Sequence, residues 1–156
     1  MGKETRKTIY KTLKGIGNLA YVEVRNVPMS VDAELGNLID SKVIERIERL
    51  AASALLQKNL PIRGQEVAFF RTIFALSQRD FAEKLGLSHV AIFKWEKAKH
   101  RRLDLVNEIA VKVFVSGQLN LGILASLETL ACHADTPKRL VLNYSEAVTR
   151  NARTAA

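Results

Sequence analysis

Cysteine is almost missing from this chain. Cys132 stands alone, which excludes an internal disulfide and any multi-cysteine zinc ribbon. Beside His133 it invites a metal or nucleophile role, but no further ligands follow at a suitable spacing, and a lone cysteine packs as a small hydrophobe. Proline occurs three times, at Pro28, Pro61 and Pro137, so few positions forbid regular structure. No apolar run reaches membrane-spanning length, and no charged-then-apolar leader opens the chain, so the expectation is a cytoplasmic protein with no membrane partner. Paired carboxylates, GxSxG and HExxH patterns are also missing from plausible elements, so neither an enzyme nor a cofactor is expected. Gly15 and Gly17 beside Lys14 lack the spacing and the following helix of a phosphate cradle. Asn143-Tyr144-Ser145 fits a glycosylation sequon by chance, since nothing indicates secretion.

Acidic residues are the minority, 16 against 24 lysines and arginines in 156 residues. The formal charge of +8 favours a polyanionic partner, although basic proteins bind DNA, RNA and anionic membranes for the same reason. With 47% hydrophobic residues the chain has enough apolar material for one sizeable core or two small ones.

The pattern predicts a mainly α protein with a small β part, in three segments. Residues 1–60 carry a β-hairpin and an amphipathic helix. Thr8–Leu13 and Leu19–Val24 alternate, Gly15, Gly17 and Asn18 supply the turn, and Pro28 is expected to end the second strand. Ala33–Leu38 reads as a short helical turn. From Ser41 to Asn59 apolar residues recur at helical spacing opposite a mixed-charge face, which fits a core helix or a dimer-forming or partner-binding one. Residues 61–117 hold four helices, the first over Gln65–Phe74 and the fourth over Leu103–Ser116. The fourth is more apolar than closing a small domain requires. Residues 118–156 form a C-terminal extension, a candidate dimerisation segment, with a helix over Leu121–Cys132, a strand over Arg139–Tyr144 that is a candidate to pair with the hairpin, and a polar, mobile tail after Val148.

The most informative stretch is Leu76–Lys97, LSQRDFAEKLGLSHVAIFKWEK. Ser77 and Asp80 make a capping box for one helix, which buries Phe81, Ala82 and Leu85. Gly86 lets the chain leave it in the left-handed conformation. Ser88 caps a second helix whose Ile92 and Trp95 point back at the first, leaving an outer face of His89, Val90, Phe93, Lys94 and Lys97. Lys94, Lys97, Lys99, Arg101 and Arg102 cluster in or after that helix against one acid, Glu96. Phe93 fits either exposure in a groove or packing against another element or subunit.

These residues resemble the Cro/CI-type (Xre-type) helix-turn-helix family over roughly Gly64 to Val115. The match rests on Arg71, Ser77-Gln78, Phe81-Ala82, Leu85-Gly86-Leu87-Ser88, and Ile92, Trp95 and Glu96. Ala98 departs from it, since the family usually has glycine after the third helix. The resemblance implies a lambda-repressor-like helical domain and a transcriptional regulator, a repressor, that binds double-stranded DNA. It implies an Arg71–Glu96 ion pair between the first and third helices. It places Ser88, His89, Val90, Phe93 and Lys94 at base edges, with Lys94 donating to guanine and Val90 packing on a thymine methyl. Ser77, Gln78, Lys97, Lys99, Arg101 and Arg102 would meet phosphates. One such module discriminates too little to select an operator, so a homodimer on an inverted repeat is expected.

A weaker resemblance covers the first half. Gly15–Met29, then a helix, then Leu60–Arg71 running into the helix-turn-helix looks like antitoxins of the MqsA type, without their zinc-binding CxxC pairs. It implies an alternative function, an antitoxin that binds a toxin protein and represses its own operon.

Overall fold

The structure, a computed structural model, describes residues 6–122 and 135–154. Among them helix predominates over strand in a mixed α/β architecture. They fall into two compact units, one within Met1–Ile16, Ala20–Ala51 and Arg139–Ala156, the other within Gly17–Leu19 and Ala52–Lys138.

The first unit is built on a four-stranded sheet, more β structure than a hairpin alone. Strands β1 (Thr8–Ile16) and β2 (Leu19–Asp32) meet at the two-residue turn Gly17-Asn18, where Gly17 has φ 55°. Pro28 does not end β2. It falls between the part of β2 that pairs with β4 (Leu140–Asn143), in the parallel register Val22↔Leu140 to Arg25↔Asn143, and the part that pairs with β3 (Gly36–Leu38), Ser30↔Leu38 to Asp32↔Gly36. On that edge its missing amide leaves no ladder bond unmade.

The helical turn expected at Ala33–Leu38 is instead a strand reversal. Asp32 Oδ1 accepts from the amides of Glu34 (3.0 Å) and Leu35 (2.9 Å), and Gly36 takes φ 76°, which returns the chain antiparallel. The tail is also ordered otherwise than expected: β4 runs into helix α6 (Tyr144–Thr154), whose start is fixed by Asn143 Oδ1 accepting from the Ser145 amide (3.1 Å). Helix α1 (Ser41–Gln57) brings Ile47, Leu50 and Ala51 to a core that draws Val22, Val24 and Val27 from β2, Leu140 and Leu142 from β4, and Ala147 from α6. Arg46 Nη1 donates to the buried Tyr144 hydroxyl at 3.4 Å.

The second unit holds α2 (Gly64–Ile73), α3 (Gln78–Leu85), α4 (His89–Lys97) and α5 (Leu105–Gln118). Its core takes Leu55, Leu56 and Ile62 with Val67, Phe69, Phe70, Phe81, Ala82, Ile92, Val111 and Val115. Phe114 of α5 meets Phe81 (5.5 Å) and Phe74 (6.3 Å) edge-on, the favoured geometry for aromatic pairs. Helix α5 starts two residues later than expected, because Asp104 caps it by accepting from the Asn107 amide at 3.0 Å, which holds that carboxyl below its ordinary range. The helix expected over Leu121–Cys132 lies almost wholly outside the described residues, as do Cys132 and His133. No helix among the described residues is long and apolar enough to cross a membrane.

Candidate functional site

Two short helices and the turn between them form the site's frame. Ser77 Oγ accepts from the Asp80 amide (3.0 Å), while Asp80 Oδ2 accepts from the Ser77 hydroxyl (2.6 Å) and amide (3.3 Å). Those two bonds from Ser77 hold the Asp80 carboxyl below the usual carboxylate range. Gly86 ends α3 at φ 68°, with its amide on the Ala82 and Glu83 carbonyls. Ser88 then caps α4, accepting from the Ala91 amide at 3.3 Å. Ser77→Ala is expected to lower stability by about 1 kcal/mol, measured by urea denaturation; an unchanged midpoint would show that the box contributes nothing to folding.

The inner side of α4 is fixed in two ways. Ile92 is fully buried, and Trp95 is half-buried with its carbonyl against Gly64. Arg71 on α2 reaches Glu96 through two bonds, Nε–Oε1 at 2.6 Å and Nη2–Oε2 at 3.1 Å, and also donates to the Leu76 carbonyl at 3.0 Å. The structure thus brings Arg71 and Glu96 together as a partly buried bidentate pair, which raises the Arg71 pKa. Gln78 joins it, Nε2 donating to Glu96 Oε2 at 2.8 Å. That amide is committed inward.

The outer side of α4 carries Val90 at 44% and Phe93 at 51% exposure, with Ser88, His89, Lys94 and Lys97 also exposed. The Lys97 ammonium stands 6.0 Å from the Phe93 ring centroid, at the outer limit of a cation–π contact. Among the described residues none of Lys94, Lys97, Lys99 and Arg101 is in an ion pair.

The basic loop after α4 is held by its backbone. The Gly64 amide donates to the Arg101 carbonyl (3.2 Å), the Gln65 amide to Lys99 (2.9 Å), and the Leu103 amide to Ile62 (2.9 Å). Lys99 and Arg101 side chains remain exposed. Arg102 differs: its guanidinium donates to Glu108 Oε2 (2.8 Å) and Oε1 (3.0 Å). Glu108 also accepts from Lys112 Nζ (2.8 Å), which in turn donates to Asn59 Oδ1 (2.7 Å). Both Glu108 and Lys112 have zero exposure. Sequence reading missed this buried charge network. The signal was present as a Glu-x-x-x-Lys spacing within the otherwise apolar face of α5, but on a helix surface that spacing ordinarily marks an exposed pair.

Of the residues expected at phosphates, Ser77, Lys97, Lys99 and Arg101 are exposed beside α4, whereas Gln78 and Arg102 serve Glu96 and Glu108. All five residues expected at base edges lie on the exposed side of α4 or at its cap. Comparison with protein-family models, with curated proteins and with solved structures gives no match for this chain.

Proposed function

We propose that the chain is a sequence-specific double-stranded-DNA-binding regulator, a cytoplasmic repressor acting as a homodimer on an inverted-repeat operator. One observation carries this reading. The exposed side of α4 presents His89, Val90, Phe93 and Lys94, with Lys97 exposed at its end and Lys99 and Arg101 exposed on the loop that follows, while the helix's sole carboxylate, Glu96, is turned inward onto Arg71 and Gln78. A convex, cation-bearing helix of this size suits the major groove. Exposed cations on the loop and the amides at the start of α3 contact phosphates and set register; α4 reads bases.

Selection from a randomised duplex pool, followed by titration against enriched and scrambled duplexes, tests it. An enriched sequence bound far more tightly than its scrambled counterpart is the expected result, and equal affinity for both would overturn the reading. Lys97→Ala and Lys99→Ala are each expected to weaken binding to all duplexes alike and to flatten the plot of log K against log salt by about 0.9. A slope identical to that of the unaltered protein would remove that residue from the phosphate contacts.

A second reading rests on the separate compact unit around the four-stranded sheet. There the chain is an antitoxin, using that unit to hold a toxin protein while the helical unit represses the operon. Co-purification with the product of an adjacent small reading frame separates this role from a simple repressor.

A further inference from the structure

We propose that a cavity at the end of α4 binds a small organic oxyanion, an apolar body carrying one carboxylate or phosphate, and that its occupation releases DNA. The release rests on the DNA-binding reading above; the binding does not. The cavity measures about 280 Å³. It is lined by Lys94, Trp95 and Ala98 from α4 and its cap, and by Arg101, Leu103 and Asp104 from the segment that leads into α5. That volume lies just below the range of about 300–1,000 Å³ for small-molecule sites, so a compact ligand fits. Its walls are held without a ligand. The Gly64 amide donates to the Arg101 carbonyl, the Leu103 amide donates to the Ile62 carbonyl, and Arg102, also in the lining, is clamped onto Glu108. A site built in advance gives up little entropy on binding.

The lining divides into two chemistries. The half-buried Trp95, the buried Leu103 and the Ala98 methyl make its apolar part. Lys94 and Arg101 supply charge; both are exposed, and neither is in an ion pair among the described residues. The other charged groups are engaged. Arg102 serves Glu108 and also feels the charge of Asp135, while Asp104 accepts from the amide and the side chain of Asn107. Lys94 and Arg101 therefore set the sign of the site. A guanidinium matches a carboxylate or phosphate bidentately, and an ammonium adds a point charge. An inorganic ion, or a phosphate of the duplex, satisfies those two groups and leaves the apolar part unused. An oxyanion on a hydrocarbon body uses both. On the reading above, Lys94 meets a base edge and Arg101 a phosphate, so ligand and duplex compete for the same two cations.

The test titrates the full-length chain with cyclohexanecarboxylate and with cyclohexyl phosphate, which separate the two kinds of anion, and with acetate, inorganic phosphate and cyclohexanol for comparison. Trp95 lines the cavity and is the chain's single tryptophan, so its emission reports occupancy. At least one cyclohexyl anion is expected to bind saturably and about tenfold more tightly than its small counterpart, the factor for burying roughly two methylenes. Lys94→Ala and Arg101→Ala should each weaken that binding about tenfold or more, as for the loss of a charged hydrogen bond. Lys84→Ala, which removes an exposed cation outside the lining, should not. Absence of saturation, equal affinity for the small ions or for cyclohexanol, or indifference to both substitutions would overturn the site. In a second arm at constant ionic strength, saturating probe is expected to weaken binding of an enriched duplex. Unaltered duplex affinity with the cavity occupied would overturn the release and leave the site standing. If no duplex is preferred over a scrambled one, the DNA reading fails and the release with it, while the emission titration decides the site by itself.

Discussion

Replacing Glu108 with alanine is expected to lower folding stability by about 3–5 kcal/mol, the range for removing one partner of a buried ion pair. Glu108 and Lys112 have zero exposure, and Glu108 is the shared acceptor for Arg102 and Lys112. Without it the Lys112 ammonium keeps the neutral Asn59 amide oxygen among the bonds described, and Arg102 loses its two bonds to that carboxylate. Urea denaturation followed by the fluorescence of Trp95, the chain's single tryptophan, measures the loss. The double substitution Glu108→Leu with Lys112→Met should recover much of it, because an apolar pair of similar volume removes the burial penalty along with the attraction. A single-substitution loss below about 1 kcal/mol would mean that the network is not a unit, since that is the range of exposed pairs. Acid should act on the same group. Burial pushes the Glu108 carboxyl up, but the bonds from Arg102 and Lys112 outweigh it and hold it below its ordinary value. A carboxyl depressed in the folded state adds stability that is fully present above its unfolded pKa of about 4.3 and is lost as pH falls through the folded value. Stability of the unaltered protein should therefore drop more steeply below that pH than stability of the Glu108→Ala variant.

The second large effect lies at Gly64. A Cβ placed there would stand 1.8 Å from the Trp95 carbonyl oxygen, 2.7 Å from its carbon and 3.1 Å from the Ala98 carbonyl. All three are backbone atoms of α4 and its cap, so no side chain can swing aside. Either α2 or α4 must move by more than an ångström. Gly64→Ala is expected to destabilise by about 3 kcal/mol, the upper end for overpacking, and to shift the Trp95 emission maximum. Gly86→Ala is the comparison: open space surrounds that position, and the strain of φ 68° alone amounts to about 1–2 kcal/mol. Equal midpoints for the two variants would show that the α2–α4 approach is looser than the structure has it.

Both effects sit at places the sequence read poorly, and the reason is physical. The caps Ser77 and Ser88, the αL exit at Gly86 and the apolar spacing of α1 to α5 are local devices, each written within a few residues. The hairpin turn Gly17-Asn18 is equally local. The errors arise where a partner outside the stretch itself decides. Ala33, Glu34 and Leu35 favour helix by propensity, yet Asp32 and pairing with Ser30–Asp32 turn the stretch into a reversal and a strand. Pro28 looks terminal until the two partners on that edge of β2 are seen to leave a gap for it. The polar stretch after Val148 reads as a tail, but α6 begins on the buried Tyr144 and Ala147. Within the candidate site, exposure of Val90, Phe93 and Lys94 follows from helical periodicity. The recruitment of Gln78 by Glu96 and of Arg102 by Glu108 does not, because each depends on a residue brought near only by folding.

The hydrogen bonds between the start of α2 and residues 99–103 use main-chain atoms at both ends. What the side chains of Lys99 and Arg101 are does not enter the bonds that shape the segment. Evolution or an engineer can therefore exchange those two residues, and with them the strength of attachment to a polyanion, without remaking the architecture that carries them. Tuning of affinity and inheritance of form are separate here, so relatives that differ sharply in charge at these two positions should still superpose.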